Sequence, residues 1–215
     1  LGNGQLIRGE TMEKSLNINN IFESIQGEGK YAGTPVLFIR TAGCNLRCPW
    51  CDTAYAFGEG DKMSVDTVAE KIDKSNKFVV VWTGGEPLMQ GHLIKQVRKK
   101  VIPEVEFHAE TNGTYLNENL DAFNYVCFSP KKEMDAANVQ RYAKKHLTNY
   151  DIKVVTDLNS VGSDMLNYAT MLMPLTTFSK DDQRIKRRVW NYCVKKDIKY
   201  TPRLHVDVWG KERGR

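Results

Sequence analysis

Three cysteines, Cys44, Cys48 and Cys51, follow a C-x3-C-x2-C spacing in the run Gly43-Cys44-Asn45-Leu46-Arg47-Cys48-Pro49-Trp50-Cys51-Asp52-Thr53. Thiolates ligate iron–sulfur clusters and zinc, and four of them close either site completely. Three local thiolates on a 4Fe–4S cubane leave one iron open to an exogenous ligand. The competing chemistry is structural zinc, with a fourth ligand from Cys127, Cys193 or one of the four histidines. A second run, Gly84-Gly85-Glu86-Pro87, brings backbone within reach of a ligand, because glycine has no Cβ. Glu86 there has the chemistry to accept hydrogen bonds from an ammonium group. Taken alone, this run reads equally well as a turn, and so does the polar run Glu110-Thr111-Asn112-Gly113.

These residues need elements to position them. Val36–Arg40 is β-branched and aromatic and reads as a strand leading into the cysteine loop. Ser64 is an N-cap for a helix to about Asn76, with Val65, Val68, Ala69 and Ile72 on one face. Phe78–Thr83 reads as a strand, and Pro87 opens a helix to about Val101. Strands are expected at Val105–Thr111, Tyr125–Ser129, Ile152–Val155 and Met171–Met173. Helices are expected over about Ala136–Lys145 and Asp181–Asp197. Strands alternating with helices imply an α/β fold with a parallel sheet, whose ligands sit at the carboxyl ends of the strands. The chain is short for eight βα units, so a shortened, partial and open (β/α) barrel is expected. No repeat or linker divides it. Residues 18–215 read as a single domain and residues 1–17 as an N-terminal extension or added sequence, with Met12 a candidate start.

Composition bounds the setting. Of 215 residues, 41% are hydrophobic and 27% charged, the balance of a water-soluble globular chain. No apolar run has membrane-span length, and no secretory signal is evident, so a cytoplasmic protein without a membrane is expected. Five cysteines, three of them clustered, fit a reduced thiol site better than a disulfide scaffold. Cys127 and Cys193 lie in apolar runs and read as small core residues. The net charge of +5 is spread along the chain, which favours a solvated basic face over a nucleic-acid stripe.

The cysteine spacing with Trp50 resembles the signature of the radical S-adenosylmethionine enzymes, and Gly84–Pro87 resembles their GGEP motif, which contacts the methionine part of the cofactor. Further runs resemble one family of those enzymes, the 7-carboxy-7-deazaguanine synthases. They are Phe22-Glu23-Ser24-Ile25-Gln26-Gly27-Glu28-Gly29, Gly33-Thr34-Pro35, Phe38-Ile39-Arg40 and Cys51-Asp52-Thr53. In the tail they are Pro202-Arg203-Leu204-His205, Trp209-Gly210 and Arg213-Gly214. The resemblance implies conversion of 6-carboxy-5,6,7,8-tetrahydropterin to 7-carboxy-7-deazaguanine with loss of ammonia, on the queuosine-type route. It also implies a radical, generated from S-adenosylmethionine at the open iron, that takes hydrogen from C6 of the pterin.

The residue roles follow from the same resemblance. Cys44, Cys48 and Cys51 hold the 4Fe–4S cluster. Trp50, Cys51, Asp52, Gly85, Glu86, Ser129, Pro130 and Lys131 contact S-adenosylmethionine. Ile25, Gln26, Gly27, Glu28, Arg40, Thr83 and His205 contact substrate, Arg40 offering a planar fork to a carboxylate and Gln26 and Glu28 reading the pterin edge. Thr53 ligates Mg²⁺ beside substrate oxygens and water; without the resemblance it reads as a cap or turn residue. No catalytic acid or base is assigned. Two positions depart from the family: Met173 stands where a Gln contacts the cofactor, and the terminal residue is Arg215. A flavodoxin-type or ferredoxin-type reductant and a homodimer are the implied partners. The alternatives are a glycyl-radical-enzyme activase, which needs a groove for a protein, and a basic nucleic-acid-binding Fe–S or zinc module.

Overall fold

The computed structural model describes residues 15–212 and 214. The expected N-terminal extension before Ser15, and the tail positions Arg213 and Arg215, lie outside the described residues. The chain forms one nine-stranded sheet in the order β3-β1-β2-β4-β5-β6-β7-β8-β9. Its strands are β1 (Ser15–Ile25), β2 (Pro35–Thr41), β3 (Asp61–Ser64), β4 (Val79–Gly84), β5 (Glu106–Thr111), β6 (Tyr125–Phe128), β7 (Tyr150–Thr156), β8 (Met171–Pro174) and β9 (Lys199–Tyr200). From β2 onward along the sheet every pairing is parallel, while β1 runs antiparallel to both β2 and β3. The sheet is open, with β3 and β9 at its two edges, as the partial barrel required.

Crossover helices α1 (Val65–Ser75), α2 (Gly91–Arg98), α3 (Glu133–His146) and α4 (Asp182–Lys196) connect the parallel strands, and α5 (Leu204–Trp209) closes the chain. In α1 the Ser64 hydroxyl accepts from Thr67 N at 3.1 Å, and Asn76 ends the helix in the left-handed region at φ 53°. That cap is worth about 1 kcal/mol. Truncating the fully buried Ile72 would cost about 2–5 kcal/mol, so packing outweighs the cap in holding α1. The helix expected from Pro87 to Val101 is divided. It begins as a 3-10 turn over Pro87–Gln90 and continues as the shorter α2.

Strand β1 was absent from the expected elements, and it begins ahead of the boundary expected at Ile18. Its alternation is real: Leu16 and Ile18 are buried while their neighbours are not. Leu16 belongs to the core, so residues 15–17 are part of the domain.

Alternation along the parallel strands separates two faces. Leu37, Ile39, Val80, Trp82 and Phe107 pack with α1 and α2 in one core cluster. Val126, Phe128, Ile152, Val154 and Leu172 pack with α3 and α4 in a second. The intervening residues Arg40, Thr83, Glu110, Lys153 and Met173 line a cleft on the opposite face. The fold thus spends one side of each strand on the core and the other on the site.

Candidate active site

The cleft has a volume of about 470 Å³ and opens at the carboxyl ends of the parallel strands. It receives Cys44, Cys48, Cys51, Trp50, Asp52 and Thr53 from the loop after β2, and Gly85 from the loop after β4. Ser129 and Lys131 enter after β6, and Ile25, Gln26 and Glu28 from the end of β1. His205 of α5 also lines it. With Arg40 and Thr83, most of the residues singled out in the sequence are therefore brought to one cavity.

Three of them are not on its wall. Glu86 is fully buried, and its carboxylate accepts from Leu88 N at 2.9 Å, Thr111 Oγ1 at 2.8 Å and Asn112 N at 2.7 Å. Burial raises its pKa against these hydrogen bonds. Glu86 is thus a knot joining the loops after β4 and β5. Gly27 is buried where a Cβ would strike the His205 ring, and its carbonyl accepts from Leu204 N at 3.0 Å. Its lack of a side chain lets the C-terminal segment close against β1. Pro130 is buried behind the rim.

The cysteine loop is built to hold its shape. Gly85 packs so tightly on the Gly43 carbonyl that no Cβ fits, and Glu86 N donates to Gly43 O at 2.8 Å. Asn112 Nδ2 donates to Asn45 Oδ1 at 2.9 Å, and Asn45 Nδ2 to Thr114 Oγ1 at 2.9 Å. Arg47 folds back on the carbonyls of Cys44 and Leu46 at 2.6 and 2.8 Å. Leu46 N already points at Cys44 Sγ, 3.4 Å away, as a thiolate ligand needs. Burial pushes the Cys48 thiol up; Lys131 pulls it down, and Cys51 and Cys44 add to the rise. A bound metal would supply the missing positive charge. The three half-buried thiols line one cleft and match in type and number the donors of a cluster with one open iron, although among the described residues no three Cys, His, Asp or Glu side chains stand grouped as a metal site.

Thr53 precedes the 3-10 turn Ala54–Phe57 as its N-cap residue, but its hydroxyl makes no capping bond. It rests 3.4 Å from Asp52 Oδ1 and 3.6 Å from Cys51 Sγ, on the cleft wall. The Arg40 guanidinium lies over the rings of Phe22 and Tyr55, and among the described residues it has no carboxylate within ion-pair reach. Lys131 Nζ donates to Ser129 Oγ at 2.8 Å, and burial lowers its pKa. Met173 lines the cleft with a thioether, which cannot donate a hydrogen bond.

A charge chain that sequence reasoning did not assemble runs along the cleft. Lys153 Nζ donates to Glu28 Oε2 at 2.6 Å and to Glu110 Oε2 at 2.7 Å. Arg203 donates to Glu28 Oε1 at 3.2 Å and also pairs with Asp52. Burial alone would raise the Glu28 carboxyl, but Lys153, Arg203 and His205 together hold it at about 2. Lys153 sits within the apolar run Ile152–Val155, and nothing local to that run marks it as a site residue. Only period-2 alternation, which turns it away from Ile152 and Val154, could have flagged it.

The comparisons with known proteins agree with this geometry. The Radical SAM superfamily model matches residues 38–162. The 7-carboxy-7-deazaguanine synthase of Thermoplasma acidophilum is 44% identical over 92% of this chain and 99% of its own. The protein of the same name from Pyrobaculum aerophilum is 30% identical over 93% of this chain and 97% of its own. Among solved structures, QueE from Escherichia coli superposes with a TM-score of 0.55 at 20% identity, covering 89% of this chain and 95% of that one. The chain belongs to the radical SAM superfamily and, within it, to the 7-carboxy-7-deazaguanine synthase family.

Proposed function

We propose that this enzyme converts 6-carboxy-5,6,7,8-tetrahydropterin to 7-carboxy-7-deazaguanine with loss of ammonia, using a 4Fe–4S cluster, S-adenosylmethionine and Mg²⁺. The observation that carries the reading is one cleft that holds the three cysteines together with Gln26, Arg40 and Thr53. Bound at Cys44, Cys48 and Cys51, the cluster with S-adenosylmethionine would supply a radical able to take hydrogen from an unactivated carbon. The protein's own residues then bind, orient and shield.

Arg40 suits the substrate carboxylate. Its guanidinium stands over two aromatic faces with its fork of donors unspent on any described carboxylate, which is the state a bidentate partner requires. Thr53 offers a hydroxyl held only by long contacts to Asp52 and Cys51 and by no capping bond, and Mg²⁺ takes such an oxygen beside water and substrate oxygens. Ser129 and Lys131 face the cofactor end of the cleft, and Trp50 covers it from the cysteine loop. α5, with His205, lines the same cleft and limits water at the reacting centre.

The electron comes from an acidic flavodoxin-type or ferredoxin-type protein docking on a chain of net charge +5. The test is anaerobic reconstitution with iron and sulfide, followed by reductive turnover with S-adenosylmethionine and the pterin. Formation of 7-carboxy-7-deazaguanine is expected. Cleavage of S-adenosylmethionine with no pterin-derived product would overturn the substrate assignment.

A further inference from the structure

Five charged groups alternate in sign along the cleft: Glu110, Lys153, Glu28, Arg203 and Asp52. The inner members are matched on both sides. Glu28 in particular has a cation on each oxygen, Lys153 at 2.6 Å and Arg203 at 3.2 Å, with His205 Nε2 at 3.9 Å. The two ends are not matched in this way. Asp52 is half-exposed and is solvated. Glu110 is not; its side chain is 17% exposed, and what exposure it has faces the cleft. Its Oε2 takes Lys153 at 2.7 Å, the buried Cys127 thiol adds a hydrogen bond to the carboxylate, and its Oε1 has the Gln26 amide at 3.4 Å, beyond the usual range of a good hydrogen bond. Burial accordingly raises the Glu110 carboxyl, against the pull of Lys153. The cleft floor therefore ends in a carboxyl group whose contact with Gln26 is long and weak.

Its position is as informative as its charge. Arg40 pairs in register with Thr83 across β2 and β4, and Trp82 with Ala109 across β4 and β5. Arg40, Thr83 and Glu110 therefore stand on one rung of three neighbouring strands, all on the cleft face. Two strand spacings separate the outer pair by about 10 Å at the backbone. That is the scale of a carboxylated bicyclic heterocycle measured from its carboxylate to the far edge of its second ring.

We propose that Glu110 is the specificity residue for the amino-pyrimidinone edge of the substrate, its carboxylate accepting from the ring N–H and the exocyclic amine. The assignment rests on the pterin reading above. It moves edge recognition from Glu28, whose oxygens the ion chain occupies, to Glu110. Two adjacent donors on the heterocycle match the two oxygens of a carboxylate, and an amide in the same place would turn a donor against a donor.

The test compares two competitive ligands of the reconstituted enzyme with S-adenosylmethionine present: 7-carboxy-7-deazaguanine, which carries the same edge, and its 2-desamino analogue. The native enzyme should prefer the aminated ligand by roughly 10- to 100-fold, the usual return on a charged hydrogen bond. Glu110→Gln should reduce that preference to within about twofold, while iron content and S-adenosylmethionine affinity stay as they were. Glu28→Gln should weaken both ligands alike and keep the preference. A preference that survives Glu110→Gln would overturn the proposal. So would equal binding of the two ligands by the native enzyme, a measurement that does not depend on any variant folding. If the native enzyme, with cluster and S-adenosylmethionine bound, takes neither ligand and no pterin, the substrate reading itself has failed and this assignment falls with it.

Discussion

Arg203, near the C-terminus, forms an ion pair with Asp52, the residue after the last cysteine of the loop. The same guanidinium holds Glu28 at the end of β1, so one side chain ties three distant segments of the chain to the cleft.

Removing it should be costly. Arg203→Ala leaves Glu28 buried with one cation fewer, and breaking a buried pair on one side costs about 3–5 kcal/mol. Asp52 is half-exposed, so the lower end is expected here. Urea unfolding should show a reduced midpoint with an unchanged slope, and Arg203→Lys should restore only part of it, because a single ammonium cannot span both carboxylates.

The cysteines should divide into two classes. Replacing Cys44, Cys48 or Cys51 by Ala should abolish iron binding and turnover together. Cys127→Ala and Cys193→Ala should keep the cluster, because both thiols are core atoms, one on β6 and one on α4. Iron and sulfide analysis after anaerobic reconstitution checks this, and iron lost from the Cys127 variant would break the three-cysteine assignment.

Thr53→Ala should slow turnover while sparing the cluster. A hydroxyl ligand to Mg²⁺ is lost, but no thiolate is. The native enzyme should respond to added Mg²⁺ and the variant should respond far less. Equal rates with and without Mg²⁺ in the native enzyme would remove the role.

Acid should weaken the fold through Glu28. Its folded pKa of about 2 lies below the ordinary value of 4.5, so the fold binds the charged form more tightly. The stabilisation is fully present above about 4.5 and is lost as the pH falls toward 2, on the order of 3 kcal/mol in all. The stability gap between the native chain and Glu28→Gln, measured by urea unfolding, should therefore narrow steadily from pH 5 to pH 3. Glu110, with its pKa raised, works in the opposite sense, so the same comparison on Glu110→Gln should not narrow in that window.

Reduction by an acidic protein donor should slow with added salt, because screening weakens steering toward a basic surface. A small chemical reductant should show no such dependence. Stopped-flow reduction with a flavodoxin at rising ionic strength measures it.

The amino-acid sequence alone determined what depends on near neighbours. Thiolate spacing within one loop sets the cluster chemistry. The β-branched run of β2 and the Ser64 cap of α1 follow from residue type and period, and strand–helix alternation implies a parallel, ligand-rimmed sheet. Strand β1 escaped notice because Asn17, Asn19 and Asn20 dilute its pattern and a bulge between Ile18 and Asn20 shifts its register. What the tertiary structure decided is where charge is tolerated. Lys153 in an apolar strand is legible only once Glu28 and Glu110 close around it from 125 and 43 residues away in the chain. Glu86 reads as a ligand-binding acid in the motif, yet the fold spends it on three internal donors. Arg203 reaches Asp52 across 151 positions. A buried charge persists only with partners, and here those partners come from other strands of the sheet and from the tail, which no local pattern encodes.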